Sequence, residues 1–262
     1  MSRDKYIEGH EFFRIGKIHI SATNSTDAEE KITKAALNGE GGYICVSNVR
    51  MCKYADKHLN YADLMEHSFM NLPDGMPLTW CARWWGLKNV SRTCGPDIFK
   101  KMLSSGDDGL KHCLLGDTQE VLDKIVETYN AGGKIKIVEA YALPFAKVED
   151  FDYEGIAKRI RDSGANVVWT AMRAPKQDEF NQRLSRLVPD VVCIGVGRAF
   201  RTSIGEFKEV PKWATKMGLA GLWLLRGSLW NEIPFYSSAI VFLAKAFFQI
   251  QWRKLRGIPY YK

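Results

Sequence analysis

The chain of 262 residues has only five histidines and six cysteines, and neither set shows a metal-ligand spacing. The lack of any Cys-x-x-Cys pair or His-Glu-x-x-His argues against structural zinc, a redox dithiol and a zincin site. No Gly-x-Ser-x-Gly elbow and no phosphate-binding P-loop occurs, and no internal repeat or low-complexity linker is visible. No apolar run reaches the ~18–20 residues of a membrane-spanning helix. Behind Met1-Ser2-Arg3-Asp4-Lys5 there is no apolar stretch, so no secretory signal is expected. The cysteines are then expected to be reduced, mostly buried thiols of a cytosolic protein. Acidic residues are missing from the end of the chain: after Glu232 there is no Asp or Glu.

What is present fits a globular protein, with 46% hydrophobic and 26% charged residues. The length suits one sizeable α/β core, or a core with a small appendage. The net charge of +7 favours an anionic partner, and nucleic acid, acidic lipid and a diphosphate all qualify. No nucleic-acid-binding module or interleaved basic-aromatic groove is recognisable in the core.

Residues 17–22 alternate as a strand does, and Thr26-Asp27-Ala28-Glu29 reads as a capping box opening a helix to about Leu37. Residues 43–47, 111–115, 134–140, 166–170 and 191–196 read as further strands. Asp117 and Glu120 frame a helix start, residues 153–162 read as a helix, and Pro175 sits where a helix accepts a first-turn proline. Strands alternating with helices predict an α/β fold: a Rossmann-like parallel sheet with helices on both faces. Asn48, Gly116, residues 170–177 and Gly197 all follow strands, which places them at the carboxyl edge where such sheets bind ligands.

Asn71-Leu72-Pro73-Asp74-Gly75-Met76-Pro77-Leu78 holds one carboxylate between a proline and a glycine, ahead of a run (Met76, Leu78, Trp80, Trp84) that reads as a buried helix. Pro73 fixes its own φ and Gly75 permits a turn most residues resist. Asp74 on such a rigid turn suits a general base, although a plain structural turn has the same sequence. Asp150-Phe151-Asp152 spells the DxD of many nucleotide-sugar enzymes, but at an acidic helix start, where carboxylates serve the helix dipole. Gly195-Val196-Gly197 lacks the third glycine of a dinucleotide fingerprint, since position 200 is Phe.

Taken in order, the Pro73-Asp74-Gly75 turn, Arg92-Thr93-Cys94-Gly95-Pro96-Asp97, Leu114-Leu115-Gly116, Pro175-Lys176-Gln177 and Gly195-Val196-Gly197-Arg198-Ala199-Phe200 resemble the WecG/TagA/CpsF glycosyltransferases (glycosyltransferase family 26). The resemblance runs from about Ile20 to about Gly218. It implies an inverting transfer of a sugar (an N-acetylhexosamine, its uronic acid or a related hexose) from a UDP-sugar to a polyprenyl-diphosphate-linked saccharide in cell-surface polysaccharide synthesis. No metal and no further cofactor would be needed, and no nucleic acid would be bound. The match assigns Asp74 as catalytic base. As substrate-binding residues it suggests Asn48, Arg92, Gly95, Asp97, Gly116, Lys176, Gln177, Gly197, Arg201 and Arg226. The chain departs from the pattern at Val46, where the family has Thr, at Arg201, where it has Asp, and at Ala220-Gly221, where it has Glu-Trp. Arg201 implies either a nucleotide held differently or a donor with extra negative charge. The alternative to an enzyme is a catalytically impaired nucleotide- or lipid-binding partner in a synthesis complex.

Residues 1–205 are read as the glycosyltransferase core and 206–262 as a helical, membrane-proximal appendage. As a helix from Ser238, the tail carries a polar stripe of Ser238, Lys245, Gln249, Arg253 and Arg256, with broad apolar surface elsewhere. Basic residues with Trp and Phe suit the plane of an anionic membrane, which implies a peripheral place on the cytoplasmic leaflet. Docking on the core or on a second copy in a homo-oligomer is the competing reading.

Overall fold

The computed structural model describes residues 11–105, 109–133, 136–207 and 229–259, with isolated positions between 210 and 223. The chain opens with β1 (Phe12–Ile15), β2 (Ile18–Ser21), α1 (Ser25–Asn38), β3 (Gly42–Ser47), α2 (Val49–Lys57) and α3 (Leu59–Glu66). Then come β4 (Met70–Pro73), α4 (Met76–Trp85), α5 (Gly95–Ser105), β5 (His112–Gly116), α6 (Gln119–Asn130) and β6 (Ile137–Tyr141). It continues with α7 (Tyr153–Ser163), β7 (Val167–Ala171), α8 (Lys176–Leu187), β8 (Val192–Gly195), α9 (Ala199–Ser203) and α10 (Leu229–Leu255).

Six strands form one sheet in the order β4-β3-β8-β7-β5-β6, and every pairing is parallel. Side-chain alternation along β3 explains the two cores. Tyr43 and Cys45 face one way, toward α2, α3, α4, α8 and α10, while Ile44 faces the other way, toward α1, α5 and α9. Trp169, Phe99 and Phe200 fill that second face, with ring centroids 5.1 and 5.2 Å from Phe99. All six cysteines are buried with free thiols. No helix among the described residues is long and apolar enough to cross a membrane.

Several expected elements shift. The strand at 17–22 is β2, which pairs antiparallel with β1 in a separate hairpin rather than joining the main sheet. Helix α1 starts ahead of the expected capping box: Asn24 is its cap, accepting from the amides of Thr26 and Asp27, and Glu29 pairs with Lys101 instead. Thr118, not Asp117, caps α6. Pro175 sits at the cap of α8 rather than inside its first turn. Strand β4 was hidden in Met70-Asn71-Leu72-Pro73, too short and too polar to alternate. As an edge strand it tolerates Pro73 at its end.

Helix α10 begins well before Ser238 and docks on α4 and α2. Ala239, Ala246 and Ile250 are buried, with Phe235, Phe242 and Leu243 partly so, in the same core as the sheet face. Ile240, Val241, Phe248, Trp252 and Leu255 stay exposed along another face. The helix is therefore apolar on two sides, with Lys245 and Gln249 between.

Candidate active site

Parallel strands all end on one edge, and the motif residues gather there. Strand β3 ends at Ser47 opposite Pro73 of β4, and the Asp74 amide extends the pairing by donating to the Ser47 carbonyl at 2.7 Å. Gly75, at φ 110°, then turns the chain into α4, a conformation that strains any residue with a Cβ. Beyond α4, the Thr93 amide donates to the Pro73 carbonyl at 2.8 Å, which brings Arg92 back beside the Asp74 turn. Arg92 Nε lies 3.6 Å from Asp74 Oδ1, and Arg92 Nη1 donates to Asp97 Oδ2 at 3.1 Å.

The Asp74 side chain keeps 29% of its surface and is otherwise covered by protein. Burial raises its pKa from the ordinary 3.8 to about 6, with the Arg92 guanidinium opposing and the Asp97 carboxylate adding to the rise. A carboxylate of that basicity accepts a proton more readily than an ordinary aspartate and is still mostly ionised at neutral pH. This is the balance a general base needs.

Asn48 caps α2, its Oδ1 accepting from the Arg50 and Met51 amides at 3.0 and 3.2 Å. The cap occupies its oxygen, so only the carboxamide NH₂ is left to reach a sugar. Two glycines are demanded by close approach. A Cβ on Gly95 would meet the Val196 carbonyl oxygen at 2.8 Å, and one on Gly195 would meet the Gln177 amide carbon at 2.9 Å. Gly95 thus brings the Arg92–Asp97 segment against the end of β8. Gly116 (φ 101°) and Gly197 (φ 56°) shape the turns after β5 and β8.

A sequence model of the "Glycosyl transferase WecG/TagA/CpsF family" matches residues 13–256. The chain belongs to the WecG/TagA/CpsF glycosyltransferase family. It is 25% identical over 207 residues (77% of this chain, 79% of the relative) to an "N-acetylglucosaminyldiphosphoundecaprenol N-acetyl-beta-D-mannosaminyltransferase" of Bacillus subtilis (strain 168). A Bacillus spizizenii (strain ATCC 23059 / NRRL B-14472 / W23) protein of the same description is 23% identical over 208 residues, with 77% of this chain and 79% of that one covered.

The remaining motif residues of this glycosyltransferase take other duties in the structure. Gln177 is buried and its Oε1 accepts from the Gly197 amide at 3.1 Å, which fixes the turn after β8. Lys176 Nζ donates to the Ala146 carbonyl and lies over the Phe145 and Phe151 rings at 5.4 and 5.1 Å, tying down the loop after β6. Arg201 is not an open anion receptor. Its Nε and Nη2 grip Asp117 at 3.1 and 2.6 Å and its Nη1 donates to Glu206 at 3.0 Å. Asp117, held at φ 59°, therefore supplies from β5 a carboxylate beside the position where this family has Asp and this chain has Arg. The Leu115-Gly116-Asp117 stretch carried that signal, but only the fold reveals its partner. Arg226 and Ala220 lie outside the described residues. Asp152 of the DxD caps α7, accepting from the Gly155 amide at 2.9 Å.

Beneath the edge lies a polar cluster that sequence reasoning did not find. Tyr61 Oη donates to Asp178 Oδ2 at 2.5 Å, and burial raises the Asp178 carboxyl to about 7. Ser47 Oγ, Asp178 Oδ1 and both polar atoms of the Asn181 carboxamide are buried with no hydrogen-bond partner among the described residues. Such groups are normally satisfied by internal water.

Proposed function

We propose that the protein is an inverting glycosyltransferase that moves a sugar from a UDP-sugar to a sugar carried on polyprenyl diphosphate. The observation that carries this reading is Asp74, a desolvated carboxylate at the end of β4 with a pKa near 6, beside Arg92. Asp74 takes the proton of the acceptor hydroxyl, the freed oxygen bonds to the anomeric carbon, and the bond from that carbon to the UDP oxygen breaks on the opposite face. No covalent intermediate and no metal is required. The relatives' descriptions, which name a sugar linked to diphosphoundecaprenol, support the acceptor class.

In-line inversion puts base and leaving group on opposite sides of the anomeric carbon. Arg92, 3.6 Å from the base, is then on the acceptor side and tunes Asp74 rather than clamping the departing UDP. The charge on UDP falls to other groups of the edge, with Arg226 the candidate from the family pattern. The exposed Phe248 and Trp252 of α10, with Lys245 and Arg256 alongside, suit a peripheral contact with the cytoplasmic leaflet where such an acceptor lies.

The test is a panel of UDP-, GDP- and dTDP-sugars offered with a prenyl-diphosphate-linked N-acetylglucosamine, read as glycosylated lipid by mass spectrometry. One UDP-sugar should give product with inverted anomeric configuration. Binding of nucleotide without turnover across the whole panel would favour the non-catalytic partner instead.

A further inference from the structure

The turns after β7 and β8 lie side by side at the carboxyl edge. A Cβ on Gly197, whose φ is 56°, would meet the Met172 carbonyl oxygen at 3.4 Å, and Gln177 of α8 holds the same turn by accepting from the Gly197 amide. The next residue of each turn is an arginine, Arg173 after Met172 and Arg198 after Gly197, and both are exposed. The Arg198 guanidinium carbon lies 5.1 Å from the centre of the Phe207 ring, a contact that uses none of its N–H donors. Neither guanidinium forms an ion pair or a hydrogen bond with another described residue.

Other basic side chains of this edge are occupied. Arg92 serves Asp74 and Asp97, Lys176 serves the Ala146 carbonyl, and Arg201 serves Asp117 and Glu206. Two open guanidinium groups on adjoining turns, with no acid between them, suit an anion with two charged centres, and their planar forks match phosphate oxygens.

Strand order sets the distance from the base. Neighbouring strands lie about 4.8 Å apart, so in the order β4-β3-β8-β7 the end of β8 is about 10 Å and that of β7 about 14 Å from the end of β4, where Asp74 sits. In the transfer step the base is about 3 Å from the attacking oxygen, and that oxygen about 3–3.5 Å from the anomeric carbon. Two further bonds reach the nearer phosphorus of the donor, which brings its diphosphate to the ends of β8 and β7.

We propose that Arg173 and Arg198 form the clamp for the diphosphate of the nucleotide-sugar donor. This rests on the transfer reading above and gives the departing nucleotide a site across the anomeric carbon from Asp74.

The experiment uses full-length protein and UDP, with titration calorimetry as readout. The Arg173→Ala/Arg198→Ala variant should bind UDP at least about tenfold more weakly, the loss of two charge-assisted contacts. Each single change should act in the same direction, and unchanged thermal melting checks that the variants fold. Lys158→Ala/Arg161→Ala removes the same charge from the half of α7 that leads into the start of β7, away from this edge, and should bind UDP as the wild type does. Equal UDP binding by the wild type and the Arg173→Ala/Arg198→Ala variant overturns the proposal, as does wild-type protein that does not bind UDP. An equal loss in the α7 variant also overturns it, because net charge would then account for the effect. If the variant keeps its UDP affinity and loses only a preference for UDP-glucuronate over UDP-glucose, the pair reads a sugar carboxylate and the diphosphate clamp falls. If the variant loses UDP affinity while wild-type protein transfers no sugar from any donor, the clamp stands and the transfer reading falls.

Discussion

Replacing Arg92 with Gln should move the acidic limb of the pH–rate profile upward. In the wild-type protein kcat/KM should fall below about pH 6, where Asp74 takes up its own proton. Arg92 is the group that opposes the burial-driven rise, so its removal lets the Asp74 pKa climb further. At 3.6 Å a full Coulomb interaction would be about 1 kcal/mol in water and about 4–5 kcal/mol at an effective dielectric near 20. Asp97 shares the same guanidinium and both Asp74 and Arg92 are partly solvated, which pulls the value toward the lower figure. About 1–2 kcal/mol corresponds to a limb displaced by about one pH unit. The sign is fixed: a base with a raised pKa is active over a narrower range, retained at high pH and lost sooner as pH falls. Arg92→Lys, which keeps the charge, should leave the limb near its wild-type place even if the maximal rate drops. Initial rates of sugar transfer from pH 5 to 9 decide it. A limb that stays put in Arg92→Gln would mean that Asp74 does not titrate in the rate-determining step.

The remaining expectations concern the surroundings of the site. Asp178 has a native pKa of about 7 against an ordinary 3.8, so the folded state holds its proton more tightly than the unfolded chain. Stability should therefore fall as pH rises from about 4 to 7 and stay lowered above, by at most about 4 kcal/mol. Asp178→Asn should flatten that dependence in thermal melts, and an unchanged slope would contradict the buried-carboxyl reading. Arg201→Ala should lower stability by about 1 kcal/mol, the scale of a partly exposed bidentate pair, and leave the donor KM nearly unchanged. A tenfold rise in donor KM with unaltered melting would restore Arg201 as a donor contact. Phe248→Gln with Trp252→Gln should weaken binding to anionic vesicles about tenfold or more without lowering the melting temperature, since both rings are exposed. Sedimentation indistinguishable from wild type would remove the vesicle contact from α10. Cutting the chain after Glu232 is a poorer test, because it strips Ala246 and Ile250 from the core.

The parallel sheet was legible because buried strands such as 191–196 and 166–170 are apolar, β-branched and bounded by turn residues. The carboxyl-edge location of the motifs followed from the same pattern. What stayed hidden depended on contacts distant in sequence. Gln177 looks like a free helix-start amide until the fold sets it under Gly195 and beside Gly197. Arg201 reads as an unpaired cation until β5 delivers Asp117 to it. The tail forced a choice between docking and membrane contact because a helical stripe cannot say which of two apolar faces is covered. In α10 one face docks and the other remains exposed. Strand β4, which carries the Asp74 turn, was missed because four buried residues ending in proline have no period to read.

On this mechanism Asp74 removes the acceptor proton. Single-turnover transfer with wild-type protein and Asp74→Asn, under saturating donor and lipid-linked acceptor, isolates that step. The variant's rate should be lower by about 10²–10⁴-fold with UDP affinity and melting temperature unchanged, because the carboxamide keeps the shape of the turn and loses only the basic oxygen. A variant that transfers sugar within a few-fold of the wild-type rate would reduce Asp74 to a turn residue.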